Sequence, residues 1–323
     1  MTDLDEALQE LYPQAELDEL SLRRARARVL SQTRRRRTPK AVAAAAAVLL
    51  VLIAAAAVVR GRADPPGAMV EVAQTLNLAA DAQTQNPDAP VPAGQYRYIA
   101  THMLSMSYGA NWAFRLGMRY ETWVPADPAG VWVQRRTDTG ERTYLVGTPG
   151  PDGPPSFPVE VSRGPCGDFY PQAGVASCDR SGNWQEPTDR FIAELSRDPR
   201  KLYDRLRKDT GGHGKDPDQE VLVYAADALR GGLLPADLRA ALYRALARLP
   251  ALTVTERTTT LDGRTGTALG IVAAGERREI VIDPVTGAFI GERTVLTETR
   301  DGVPAGTVVA SSSVTYRVVR TAG

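Results

Sequence analysis

Cysteine and histidine are almost missing from this 323-residue chain, which holds two of each. That scarcity excludes zinc ribbons, His-rich metal centres and disulfide-scaffold folds. No cofactor or metal is therefore expected, and no catalytic residue is assigned. Net charge is missing as well: 39 Lys and Arg against 38 Asp and Glu leave +1, which gives the whole molecule no field for nucleic acid. Any electrostatic role must be local. Lysine is confined to Lys40, Lys201, Lys208 and Lys215, so the basic side chains are nearly all Arg. Aromatics make up only 6%, but 43% hydrophobic and 24% charged residues describe a chain that folds.

What the sequence does have is one long apolar run. Residues 41–59 read AVAAAAAVLLVLIAAAAVV, nineteen positions with no charge and neither Gly nor Pro. As a helix this run is about 28 Å long, close to the hydrocarbon thickness of a bilayer. It reads as one transmembrane helix. Arg34, Arg35, Arg36, Arg37 and Lys40 precede it, whereas only Arg60 and Arg62 follow closely. The excess of positive charge places the N-terminus in the cytoplasm and the large C-terminal part outside. The basic leader exceeds that of a cleaved signal peptide, so the run reads as a signal-anchor of a single-pass protein of the cell membrane. The same basic cluster could serve as a nucleic-acid arm, but beside a span it is accounted for by orientation and anionic lipid.

The head, 1–40, is acidic in its first half and basic in its second, with Leu4, Leu8 and Leu11 at helical spacing. It lacks the apolar residues for a core of its own. It reads either as a solvated tail or as a docking helix for a cytoplasmic regulatory protein. Residues 60–94 form a juxtamembrane linker and a helix over 69–82. The exported domain spans 95–323.

Within that domain, short strands are predicted over 95–102, 118–124, 131–136 and 142–146, followed by an irregular Pro/Gly-rich stretch over 148–186. Four helices come next. Asp198-Pro199 and Asp216-Pro217 each pair a capping carboxylate with a proline suited to the first helical turn, and Gln219 completes a capping-box pattern. Five strands close the chain, over 253–261, 265–273, 279–282, 288–298 and 307–319, with hairpin signals at Asp262-Gly263, Gly275-Glu276, Thr286-Gly287 and Asp301-Gly302. Strands, then helices, then strands again is an α+β order: a large curved antiparallel sheet packed on several helices.

The strings PADLRAALYRALARLPALTV (235–254) and DPVTGAFIGERTVL (283–296), with the Arg-rich head and Ala-rich span, resemble a family of uncharacterised actinobacterial single-pass membrane proteins. The resemblance implies an exported domain similar to the lipoprotein-carrier and sigma-regulator sensor fold, an open curved sheet wrapped round helices. It also implies envelope sensing alongside a sigma factor. It brings no catalytic motif, and the head carries no Cys or His for a zinc-binding anti-sigma motif.

Candidate chemistry is sparse. Cys166 and Cys178 lie in one loop on the exported side and read as a structural disulfide, with a redox switch as the alternative. His102 and His213 lack an evident nucleophile partner. Gly211, Gly212, Gly214 and Lys215 mimic a phosphate loop, but Asp209 and Asp216 occupy positions where the motif needs Gly and Ser/Thr, leaving a helix connector. Asp216, Asp218 and Glu220 could hold Ca²⁺ but are equally explained as caps. Tyr96, Tyr98, Tyr120, Trp123, Trp132 and Tyr144 alternate with polar residues on the first strands. They form either core or a candidate apolar groove for a lipid or acyl chain. The chain thus reads as a non-enzyme that binds a ligand or partner; an envelope hydrolase and a purely structural envelope protein are the alternatives.

Overall fold

A computed structural model of the chain describes residues 66–109, 112–147 and 156–323. Residues 41–59 and the flanking Arg34, Arg35, Arg36, Arg37 and Lys40 lie outside the described residues, as does the head. Among the described residues no helix is long and apolar enough to cross a membrane.

The chain from Asp64 to Gly323 is one compact unit. It begins with α1 (Pro66–Gln85), then a meander of β1 (Tyr96–Tyr108), β2 (Ala113–Pro125), β3 (Val131–Val146) and β4 (Glu160–Pro165). Four helices follow: α2 (Asp189–Glu194), α3 (Pro199–Asp209), α4 (Pro217–Arg230) and α5 (Ala236–Leu246). A second meander, β5 (Thr253–Thr259), β6 (Thr265–Ala273), β7 (Glu276–Ile282), β8 (Phe289–Leu296) and β9 (Val308–Val319), completes the unit. The strand order is β4-β3-β2-β1-β9-β8-β7-β6-β5. Every neighbouring pair is antiparallel, and the two meanders join where β1 meets β9, with Thr101 opposite Val314. This is the expected α+β order. The nine-stranded sheet, however, stays open and is not strongly curled, unlike the curved sheet expected.

The helices form where their ends are capped. Asp198 accepts from the Lys201 N–H and Asp216 from those of Asp218 and Gln219, each before a proline that has no N–H to lose. Gln219 departs from the capping box. Its Nε2 instead donates to the Ile271 and Glu276 carbonyls, tying α4 to the β6–β7 hairpin. The helices lie on one face of the sheet. Leu202, Leu206, Leu222, Leu242 and Leu246 meet Leu269, Ile271, Ile280, Ile282 and Val314 in a single core. α1, which contains the helix expected over 69–82, belongs to that core as well, burying Val72, Leu76, Ala79 and Ala80. Small faces such as Ala225, Ala228, Ala241 and Ala245 are buried in that core and let the helices pack closely.

The predicted strands 131–136 and 142–146 are one strand, β3. Asp138-Thr139-Gly140 looks like a turn but is an irregularity: Met118 faces Asp138 while Leu116 faces Arg142. Asp138 holds it by accepting from the Gly140 N–H and from Arg142, whose guanidinium keeps this carboxyl far below the usual carboxylate range. The irregular 148–186 stretch contains β4 and a 3₁₀ turn, Ser177–Asp179. β4 is an edge strand with one buried residue, Gly164, so it carries no alternation to read.

The β6–β7 turn is Ala274-Gly275, one residue earlier than predicted, with φ of 49° and 77°. Two left-handed residues make the type I′ geometry that favours Asn-Gly. Alanine there costs roughly 1 kcal/mol. Ala274 is exposed, so Ala274→Asn is expected to stabilise the protein by about 0.5–1 kcal/mol. The check is a higher urea midpoint with an unchanged slope.

Candidate functional site

Among the described residues a cleft of about 520 Å³ lies on the helix side of β1–β3. Its floor is Ile99, Val124 and Trp132 with Thr122 and Gln134, and its roof is the loop that runs from β4 to α2. Strand periodicity makes the floor: Ile99 and Val124 belong to the same core face as Val314, so the sheet presents apolar side chains where the helices stop.

The roof is built on a tight turn. The Asp168 N–H donates to the Pro165 carbonyl at 3.0 Å across Cys166 (φ 53°) and Gly167 (φ 70°). Glycine is required at 167 for a second reason: a Cβ there would stand 2.7 Å from the Trp132 ring. Trp132 is held from the other side by its Nε1–H donating to the Pro128 carbonyl at 2.8 Å. Cys166 and Cys178 are disulfide-bonded with Cα atoms 5.2 Å apart, pinning the 3₁₀ turn to the strand end. Arg180 completes the roof. It donates to Glu186 at 3.2 Å and to the Cys166 carbonyl at 3.4 Å, and its Nε lies 3.8 Å from buried Asp168. The other Asp168 oxygen, Oδ2, is buried without a partner. Arg180 is thus committed to the loop. Arg190 pairs with Glu194 on the exposed face of α2. Arg97 donates through Nη1 to the Gly232 carbonyl at 3.2 Å.

Of the six aromatics read as a candidate groove, only Trp132 lines this cleft. Tyr96, Tyr98 and Trp123 pack together on the opposite face of the sheet. There the Tyr98 hydroxyl donates to buried Glu121 at 2.6 Å, and Arg135 donates to the other carboxylate oxygen at 2.8 Å. Burial pushes the Glu121 carboxyl up, but these donors and the nearby arginines hold it below its ordinary range. Tyr120 and Tyr144 join Phe114, Leu116 and Met118 under Phe157, at the far end of the helix side. The structure therefore does not bring the six together.

The histidines are also apart. His102 lies between two carboxylates, Nε2 at 2.8 Å from Glu141 and Nδ1 at 3.6 Å from Asp262. His213 is near Tyr224, their ring centroids 6.2 Å apart. Gly211, Gly212, Gly214 and Lys215 connect α3 to α4. Asp216 caps α4 and Asp218 pairs with Arg207. Among the described residues no group of three or more His, Cys, Asp or Glu is placed to hold a metal ion.

Two smaller cavities flank the helices. One of about 330 Å³ lies against Tyr316 and Phe289 beside α5 and shares Arg97 with the cleft. One of about 210 Å³ lies beside α4 around the Arg230 pairs with Asp227 and Glu292. Among the cleft residues the sequence did not single out are Arg97, Ile99, Gln134, Phe169 and Arg180. The signal that was there is the length of the 148–186 stretch, because connections this long in a compact domain tend to be functional.

Comparison with protein-family models and with curated proteins finds no match for this chain.

Proposed function

We propose that the chain is a single-pass membrane protein whose exported α+β domain binds an acyl or other amphiphilic ligand in the cleft beneath the disulfide loop. The observation that carries the reading is the cleft itself. It combines a volume suited to a small ligand, an apolar floor including Trp132, and polar groups converging at its sides. The span at 41–59, oriented by Arg34, Arg35, Arg36, Arg37 and Lys40, is the sequence support for the membrane part. A bond between Cys166 and Cys178 agrees with an oxidising exterior. Envelope sensing, with the head relaying the state of the cleft to a cytoplasmic regulatory protein, is the role this arrangement serves. The resemblance to sigma-regulator sensors points the same way.

Native mass spectrometry of the full chain taken from its own membrane is expected to show the added mass of an acyl ligand. Acyl probes should change Trp132 emission, with Trp132→Phe as the control. A ligand-free protein whose emission no acyl probe alters would turn the reading to a protein–protein module. Protease added to intact cells should remove the large domain, and its protection would reverse the orientation.

A further inference from the structure

Arg97 is a half-buried cation between two cavities, and among the described residues no carboxylate lies within ion-pair distance of it. It lines both the 520 Å³ cleft and the 330 Å³ cavity. The other interior charges are matched: Arg180 with Asp168 and Glu186, and Arg239 with Asp88. Asp189 sits exposed at the rim, and the Arg317 guanidinium lies over the Tyr98 ring on the opposite face of the sheet. Once these pairs are set aside, the wall shared by the two cavities carries one positive charge, that of Arg97.

The wall is fixed in place. Gly232, at φ 65°, lets the α4–α5 turn lie directly on the sheet, where a Cβ would stand 2.4 Å from the Tyr316 ring. The Tyr316 hydroxyl donates to the Leu229 carbonyl at 2.9 Å, holding the same turn. The Gly232 carbonyl then takes one of the five guanidinium N–H donors. The donors left over stand beside an apolar floor, where a charge-assisted hydrogen bond gains strength from the loss of water.

We infer that Arg97 receives the anionic head of an amphiphile, a carboxylate or phosphate, whose apolar body lies over Ile99, Val124 and Trp132. This rests on the cleft being an acyl site. The anion supplies the charge the wall lacks, and a neutral lipid would leave the guanidinium desolvated and unmatched.

The test uses the full chain in amphipol and three probes: cis-parinaric acid, its methyl ester and inorganic phosphate. The acid, read by energy transfer from tryptophan, is expected to bind at least about tenfold more tightly than the ester. Arg97→Gln should bring the acid down to the affinity of the ester and leave the ester unchanged, while Arg97→Lys recovers part of the difference. The acid-to-ester ratio in the unaltered protein stands even if a variant folds poorly. Phosphate without effect on the acid assigns Arg97 to an amphiphile's head; phosphate that displaces the acid assigns it to free anions as well. Equal binding of acid and ester, with Arg97→Gln indifferent, overturns the role of Arg97 and leaves the acyl cleft standing. Failure of both probes to bind overturns the cleft reading itself.

Discussion

Replacing Glu279 with alanine is expected to destabilise the α+β unit by about 3–5 kcal/mol, as removal of one member of a buried ion cluster does. The carboxylate is fully buried on β7, on the side of the sheet away from the helices. One oxygen accepts from Arg277 at 2.8 Å and from the Thr255 hydroxyl at 2.6 Å; the other accepts from Arg293. Without it Arg293 keeps Glu256 and Thr258, but Arg277 faces Arg293 across an empty site, with Glu256 as its remaining carboxylate at 3.7 Å. For a domain of this size the melting midpoint should fall by roughly 10 °C. Glu279→Gln separates charge from shape. It fills the same volume yet turns an amide N–H toward one guanidinium, keeps a carbonyl oxygen for the other and removes the charge both arginines meet, so it should lose most of the same stability. A Gln variant that melts with the unaltered protein would mean that packing, not charge, holds these strands.

The sequence made the helices and the second meander legible because their signals are local. Asp-Pro pairs open α3 and α4, and glycines at 263, 275, 287 and 302 take the positive φ that closes the hairpins. β4 was not legible, since an edge strand with a single buried residue shows no alternation. β3 reads as two strands because an irregularity inside a strand uses the same Asp and Gly as a turn between strands. The aromatic set carried a signal that composition hid. Tyr120 and Trp123 are three residues apart on β2, and odd spacing on a strand puts two side chains on opposite faces. Which of the two faces meets the helices depends on pairing with β1 and β9, and no local pattern fixes that. The cleft was out of reach for the same reason. Its wall joins Arg97 to Gly232, 135 residues away, and its roof is a loop whose conformation depends on one disulfide and one arginine.

That dependence makes the disulfide the strongest single handle on the cleft. Removing it with Cys166→Ser and Cys178→Ser is expected to loosen the loop and weaken acyl-probe binding by about tenfold or more. Closing a loop of this separation is worth about 3 kcal/mol in the chain-entropy account, while the far end of the roof is anchored separately by Trp184, which is buried in the core and donates to Asp209 at 2.8 Å. The Cys166 N–H donates to the Gly130 carbonyl at 3.1 Å, and Arg180 reaches the Cys166 carbonyl at 3.4 Å. Cys166 also sits at φ 53°, where a residue other than glycine costs roughly 1 kcal/mol. Once the bond is gone, a serine in place of Cys166 has no reason to remain left-handed, and the turn that seats Gly167 against Trp132 should open. Cys166→Gly with Cys178→Ser isolates the two contributions, because glycine removes the backbone cost and leaves the missing link. Binding restored by glycine would assign the effect to the turn; binding still weak would assign it to the bond. Hydrogen exchange should rise at residues 166–180 and stay unchanged in α3–α5, whose core contains none of these residues. Reducing the unaltered protein should reproduce the double-serine result, in which case a change of redox state would alter acyl-probe binding directly. Unchanged exchange and unchanged probe binding on reduction would show that the roof stands without its disulfide, and would remove the redox reading.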